Sequence, residues 1–531
     1  MNIIIGISWP FANGELHIGH AASSLPGDVI ARYHRGCGNN VVYVSGTDCH
    51  GTPITVRAKK EGIDPSVIAS KYHEEFVKSF NSLDFSYDFY TATMTDEHKA
   101  QVQEFYKIIK ENGYVYEKEE EQDFCTKCNE FLSDREILGT CPICGGSAMG
   151  EQCDSCLSPI NPLELKDKHC KVCGTNTELK KNKHLYFKMS AFQKVLEEFV
   201  SKNESEWRKN AVNETKKYLN LGIIDRATTR QLDWGVEVPV DGYDDKRIYV
   251  WIEAVMGYLT ASMHVLKERN IDYNEFFKDR DDLITYFVHG KDNITFHTII
   301  YPSLINAINT SWQLPKKIVS CEYMNMNDEK MSKSKGNLIT FDELVNEYGK
   351  DTVRMYMINN GPEKKDVNFS SSDLINYHNK FLVGVIGNFI NRNLSFINKK
   401  FDGIIKEGNI DSNIISKTKE VYESAGKLLE DGELRAALDT IIDYASLANK
   451  YYDEQQPWIL VKEDMDKFND VTYTCVYMMA NLSNLLNPFM PSSCDKIKNM
   501  LGFKPYKWEE ANLSGDIKIN NLELLFNRID V

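Results

Sequence analysis

Four Cys-x-x-Cys pairs fall in one short window of a 531-residue chain: Cys125/Cys128, Cys141/Cys144, Cys153/Cys156 and Cys170/Cys173, with 12, 8 and 13 residues between successive pairs. Thiols spaced two apart close tight loops around a metal, so this window must fold as a unit of its own, with the rest of the chain joined around it. The rival reading is a set of redox-active disulfides. The chain start argues for metal: Met1 to Ile7 is apolar, has no basic leader and runs into Asn13, Glu15 and His17, so a reducing, cytoplasmic setting is expected. Eight thiolates make two four-cysteine sites with none left over, and such a site has no open position, so the metal is expected to be structural zinc, two ions in all. The short central spacing favours an inner site of Cys141, Cys144, Cys153 and Cys156 and an outer one of Cys125, Cys128, Cys170 and Cys173. Sequential pairing is the alternative. Cys37, Cys49, Cys321, Cys475 and Cys494 read as ordinary buried residues.

Around this window strands alternate with helices. Asn2 to Ile7 is a short run rich in β-branched residues; Pro10 and Asn13-Gly14 mark a loop, and a helix is expected to open near Leu16 to His20. Asn40 to Val44 reads as a second strand ending in the polar loop 45–51, with further strand-like runs at Arg247 to Trp251, Leu283 to Val288 and Ile318 to Tyr323. That alternation predicts an α/β fold with a doubly wound parallel sheet. It breaks between about Tyr116 and Asp225, a segment that opens with the acidic patch Glu117 to Glu121 and closes with the amphipathic stretch Ser190 to Leu219. After about Ser370 helical periodicity dominates to Leu501, as in Leu434 to Tyr452. Length suggests roughly three or four domains. A formal charge of −15 argues against nonspecific binding to a polyanion, and no run nears the roughly 18 apolar residues of a membrane helix.

Two further segments carry chemistry. His17 and His20 lie three apart and share a helix face at a helix start, where backbone N–H groups attract anions and Gly14 and Gly19 allow close approach. Lys330-Met331-Ser332-Lys333-Ser334, continuing into Lys335-Gly336-Asn337, is a lysine-rich loop suited to closing over polyphosphate. One histidine, or one basic loop, would be unremarked surface. Together, and in this order, they resemble the split ATP site of class I aminoacyl-tRNA synthetases.

The chain resembles methionyl-tRNA synthetases over essentially its whole length. The resemblance is carried by 9–14 (Trp-Pro-Phe-Ala-Asn-Gly), 46–53 (Gly-Thr-Asp-Cys-His-Gly-Thr-Pro), 250–254 (Val-Trp-Ile-Glu-Ala) with Tyr258, and 290–293 (Gly-Lys-Asp-Asn) with Phe296 and His297. The editing insertion of leucyl, isoleucyl and valyl enzymes would not fit this length, and cysteinyl enzymes carry zinc ligands within the sheet. Departures are Ser8, where Ala or Thr is frequent, Glu253 for aspartate and Val255 for proline.

The resemblance implies a Rossmann-like catalytic domain in two halves (1–115 and 226–325), split by a zinc-knuckle insertion (116–225). A lysine-loop and stem-contact region (326–370) and an all-α anticodon-binding bundle (371–531) would follow. It implies activation of methionine by ATP with Mg2+, and transfer to tRNA(Met). His17, His20, Lys330 and Lys333 would be catalytic, and Gly14, Gly19, Gly290, Asp292 and Lys333 would bind ATP. Methionine would meet Ser8, Trp9, Phe11, Asp48, Arg230, Trp251, Ala254, Tyr258, Asn293 and His297. Asp48, paired with Arg230, would hold the ammonium group, while Tyr258 and His297 would each offer a polar contact near the sulfur; aromatic edges suit a thioether. Asn388 and Arg392, on one helix face, and Trp458, after the break at Pro457, would read the anticodon by hydrogen bonds and stacking. Some relatives continue beyond Ile529 into a dimer-forming tRNA-binding domain, so a monomer is expected here.

Overall fold

The structure, a computed structural model, describes residues 1–132, 136–149, 152–153, 164–326, 329–330 and 338–530. Strand β1 (Asn2–Ile7) is the centre of a parallel sheet because its apolar run is buried on both faces. Side chains alternate: Ile3, Ile5 and Ile7 face helix α1 (Ile18–Gly36), whereas Ile4 joins the core on the other face. A Cβ on Gly27 of α1 would lie 2.8 Å from Ile7, so the helix sits directly on the strand.

Strands β2 (Asn40–Thr47) and β3 (Phe89–Ala92) extend the sheet on one side of β1, and β4 (Leu283–Gly290) and β5 (Lys317–Cys321) on the other, in the order β5-β4-β1-β2-β3. The chain therefore runs outward from β1 to β3 and restarts at β4. Between β1 and β4 the winding direction reverses, and the strands' C-terminal ends open a crevice.

Two strand expectations are corrected. β2 does not stop at Val44 but runs through Ser45 and Thr47, whose polarity had suggested a loop. Both side chains are satisfied inside, Ser45 Oγ donating to the Ile7 carbonyl at 3.2 Å and Thr47 Oγ1 meeting Tyr90 and His73. Of Arg247 to Trp251 only Arg247–Ile248 pairs as a strand; helix α2 (Val250–Glu268) takes over after Tyr249 and carries Trp251. β3, four residues long, gave too short a signal to be noticed.

The interruption is a long antiparallel ribbon, Val115–Cys125 against Glu178–Phe187. Two acids of the patch are paired across it: Lys183 reaches Glu117 at 3.0 Å and Lys181 reaches Glu119 at 2.8 Å. The ribbon leads to a small sheet built on Ile137–Thr140, Ser147–Met149, Gln152–Cys153 and Lys166–Cys170.

The C-terminal part is helical, with α3 (Asn388–Phe401), α4 (Leu434–Gln455), α5 (Pro457–Glu463) and the helices Met465–Leu485 and Pro491–Leu501. Its core is continuous with that under α1. Among the described residues no helix is long and apolar enough to cross a membrane. One buried ion pair fastens the two parts. Asp28 of α1 and Arg354, both 0% exposed, meet at 2.7 Å. Arg354 also donates to the carbonyls of Leu83, Pro488 and Phe489, while Asp28 accepts from Arg32 and Ser86. Burial alone would raise the Asp28 carboxyl; Arg32 and Arg354 outweigh it and hold it below the usual carboxylate range.

Because that value is depressed in the folded state, its stabilisation is complete at neutral pH and is lost as pH falls below about 4. Asp28→Asn strands a buried guanidinium and is expected to cost about 3–5 kcal/mol in urea unfolding at pH 7. The gap between variant and parent should narrow as pH falls below about 4.

Candidate active site

The crevice between β1 and β4 is where the polar motifs converge. Ser8 continues β1, its N–H donating to the Val288 carbonyl at 3.0 Å. Ten residues later α1 begins with a reciprocal cap made of histidines. His17 Nδ1 accepts from Gly19 N–H and His20 Nδ1 accepts from His17 N–H, each at 3.2 Å, with ring centroids 4.0 Å apart. Gly14 leaves open space, with nothing within 4 Å of where a Cβ would sit.

The other half of the pair is brought to the same place. Ile18 N–H donates to the Ile339 carbonyl at 3.0 Å, and His17 bridges to Thr340. On the near side, Glu329–Lys330 forms a hairpin with Met324–Met326. The Lys330 side chain and all of Met331 to Ser334, Lys333 included, lie outside the described residues. Gly290, the last residue of β4, has open space above it, and Asp292 accepts from the Tyr323 hydroxyl. Lys291 is committed to Glu322 at 2.8 Å and Asp366 at 2.7 Å.

Next to this polar floor stands an aromatic wall. Trp9 lies edge-on to Tyr258 at 6.3 Å, in a slot cut by two glycines. A Cβ on Gly46 would lie 2.5 Å from its ring, and one on Gly257 2.6 Å. Trp251 and Phe296 pair in a T at 4.8 Å, Trp251 remaining 41% exposed at the rim. Phe11 stands beside Gly51 and bridges to Asp48, and Ala254 is half-buried on α2.

Tyr258 and His297 do not act as two separate donors. His297 Nδ1 lies 2.7 Å from the Asn293 carbonyl, and its Nε2 lies 2.8 Å from the Tyr258 hydroxyl. Burial and stacking on His289 at 4.1 Å hold His297 well below the ordinary imidazole value, so the ring is neutral. Nδ1 must then donate to the carbonyl, and Nε2 accepts the Tyr258 proton. Burial likewise keeps the Tyr258 hydroxyl protonated. A π-helical turn, Phe296–Ile300, presents His297 in this position.

The expected Asp48–Arg230 pair is not formed. Arg230 lies over the Tyr249 ring at 4.0 Å and donates to the carbonyls of Ala227 and Thr229. Asp48 is 7% exposed and makes no ion pair with Lys or Arg among the described residues, so burial, followed by the nearby Glu253 carboxylate, pushes it well above the usual range. Beneath it lies a network that sequence reading missed. The two oxygens of buried Glu253 meet His50 Nδ1 and His98 Nε2, each at 2.8 Å, and Trp234 Nε1 donates to the Cys49 carbonyl. The available signal was Glu253 itself, a carboxylate in the otherwise apolar opening of α2.

In the insertion, the ligand atoms of Cys125, Cys128, Cys170 and Cys173 all lie within 4.8 Å of one another, so these four can hold a metal ion. That is the outer set of the expected grouping. Cys141 and Cys144 share a turn, their sulfurs accepting from Ile143 and Gly146 N–H. The thiol of Cys153 and the whole of Cys156 lie outside the described residues.

On the helical domain Asn388, Arg392 and Trp458 form one patch. Arg392 lies over the Tyr452 ring at 4.5 Å and pairs with Asp453 at 2.7 Å; Trp458 packs on the same Tyr452 at 5.7 Å and is 41% exposed. Asn388 donates to Asn449 at 3.1 Å. Gln456, with φ 48°, makes the break that turns Trp458 outward ahead of α5.

A family described as tRNA synthetases class I (M) matches residues 3–394, and the anticodon binding domain of methionyl tRNA ligase matches residues 405–523. Methionine--tRNA ligase 1 of Alkaliphilus oremlandii is 44% identical over 530 residues, covering 100% of this chain and 98% of the relative. Methionine--tRNA ligase of Bacillus mycoides is 44% identical over 533 residues, covering 100% and 97%. The fold matches that of Mycobacterium tuberculosis methionyl-tRNA synthetase in complex with methionyl-adenylate, with TM-score 0.82, 23% identity and coverage of 99% of this chain and 100% of that one. Sheet, crevice and sequence thus define a class I tRNA synthetase. Within that class, the chain belongs to the methionine--tRNA ligase family.

The glycine slot gives a direct test. Gly257→Ala drives a methyl into the Trp9 ring and should cost about 1–3 kcal/mol by overpacking, with an altered near-ultraviolet dichroism signal. Gly14→Ala, which meets open space, should leave both unchanged within about 0.5 kcal/mol.

Proposed function

We propose that the chain activates methionine with ATP to methionyl-adenylate and passes the methionyl group to tRNA(Met). The observation that carries this reading is Asp48, a buried carboxylate without a basic partner among the described residues, set beside the Trp9–Tyr258 wall. A site built this way is completed by a cation with an apolar tail, which describes the ammonium and side chain of methionine. In the reaction a methionine carboxylate oxygen bonds to the α-phosphorus and the bond to pyrophosphate breaks. Negative charge accumulates on phosphate oxygens, so positioning and electrostatics supply the catalysis.

In this reading His17, His20, Lys330 and Lys333 contact the phosphates. Gly14, Gly19, Gly290 and Asp292 shape the nucleotide site, with Mg2+ accompanying ATP. Ser8, Trp9, Phe11, Asp48, Trp251, Ala254, Tyr258, Asn293 and His297 receive methionine. Arg230 acts at most by holding Tyr249 and the rim next to Trp251, which Tyr249 contacts at 5.3 Å. Asn388, Arg392 and Trp458 read the anticodon. The cysteines hold two structural zinc ions, the second by Cys141, Cys144, Cys153 and Cys156; a closed set of four thiolates suits zinc and leaves no site for catalysis.

Amino-acid-dependent ATP–pyrophosphate exchange across the standard amino acids should be strongest with methionine; another preferred amino acid, or no exchange at all, overturns the reading. Lys333→Ala removes a donor to the developing charge and should slow exchange by about two hundredfold, roughly 3 kcal/mol.

Trp458→Ala separates the two half-functions. Loss of one stacked base is worth about 1–3 kcal/mol, so aminoacylation of tRNA(Met) should weaken by about ten- to hundredfold while exchange is unaffected. Equal loss of both activities would mean that Trp458 serves folding instead.

A further inference from the structure

The buried Glu253 has a geometry that the proposed reaction does not use. Its carboxylate, 0% exposed, sits between two imidazoles from different elements: His50 in the loop after β2, and His98 on the helix Asp96–Glu111. Each carboxylate oxygen accepts one ring N–H at 2.8 Å. His98 is fixed from behind, its Nδ1 lying 2.9 Å from Thr260 Oγ1, and the Thr260 hydroxyl donates on to the Gly257 carbonyl. His50 is held edge-on against Trp234 at 5.2 Å. The His50 N–H also donates to the Asp48 carboxylate at 3.4 Å, so one residue touches both acids.

Two carboxylates side by side in a buried site cannot both ionise unless one is compensated. We propose that His50 and His98 are positioning residues that satisfy Glu253, so that Asp48 can give up its proton when the substrate ammonium arrives. The inference rests on reading Asp48 as the ammonium anchor. With His98 removed, Glu253 still holds the His50 imidazole, whereas Asp48 has no ion pair with Lys or Arg among the described residues, so Asp48 keeps the proton and loses its attraction for a cation. The directions of titration put the resident charge on Glu253, held below its ordinary value because His50 and His98 outweigh burial, while burial and then Glu253 raise Asp48, so that its ionisation waits for a cation. The other titratable groups here are the Cys49 thiol, which burial keeps protonated, and Lys99, which lies over the Trp234 ring at 5.5 Å.

The signs of the variants separate this role from plain structural support. His98→Phe removes one donor to Glu253 and is expected to raise the methionine KM in pyrophosphate exchange by at least about tenfold, the equivalent of one pKa unit on Asp48. Its ATP KM stays unchanged, and the acidic limb of kcat/KM for methionine moves to higher pH. Glu253→Gln removes the competing charge, so its methionine KM does not rise and its acidic limb moves to lower pH. The double variant His98→Phe/Glu253→Gln returns to within about threefold of the parent, because the two changes act on one interaction. Inhibition by 4-methylthiobutanoate, which lacks the ammonium group, is unchanged by His98→Phe.

A double variant as impaired as His98→Phe, or a raised methionine KM in Glu253→Gln, overturns the inference. The Glu253→Gln pH profile decides the matter even if His98→Phe does not fold. Absence of methionine exchange in the parent would instead remove the functional reading beneath it.

Discussion

The interaction on which the architecture turns is the buried pair of Asp28 and Arg354. Asp28 lies in α1, the helix whose first turn is His17 to His20, and Arg354 comes from the helix Lys350–Asn359. Burying two charges costs several kcal/mol per ion unless every donor and acceptor is matched. Arg354 serves Asp28 and three carbonyls, two of them at Pro488 and Phe489 between the last long helices, and both Asp28 oxygens accept. The helix that presents the histidines is thereby tied to the bundle that carries Trp458, and one apolar core runs beneath both. A pair of this kind is weak as a source of net stability but strict about geometry, since any slippage leaves an uncompensated charge indoors.

The same strictness explains what could be read in the sequence. The β1, β4 and β5 strands were legible because buried parallel strands are continuous apolar runs, and Asn2 to Ile7 was located to the residue. The ends of β2 were not, because Ser45 and Thr47 are polar residues whose hydrogen bonds are made only by tertiary neighbours. Arg247 to Trp251 is aromatic and β-branched and looks extended in isolation, yet Tyr249 precedes a helix whose later turns are buried in the second apolar core. Propensity over five residues loses to nineteen residues of packing.

Within the site, the residue types were legible and their partnerships were not. An acid near an arginine suggested a pair, but Arg230 is drawn to the Tyr249 face and leaves Asp48 to a buried carboxylate. Tyr258 and His297, thirty-nine positions apart, share one hydrogen bond that no spacing rule reveals. The cysteines are the opposite case. Their chemistry fixes both the ligand number and the short loops, and the grouping of Cys125, Cys128, Cys170 and Cys173 follows from the antiparallel ribbon that brings its two ends together.

That ribbon also resolves how the histidine and lysine motifs, the two halves of the proposed nucleotide site, tolerate so long an insertion between them. The ribbon leaves the sheet at Val115 and returns at Phe187, and the strands on either side are paired across β1 whatever lies at its far end. The register between the two motifs is then set locally, by the Ile18 to Ile339 hydrogen bond and the His17 to Thr340 bridge, neither of which involves the insertion. Thr340 is itself fixed by a capping box with Glu343, which pins the chain where it returns from the lysine motif. Geometry between the two motifs therefore depends on α1 and its dock, and the cysteine-bearing segment is free to serve a separate purpose.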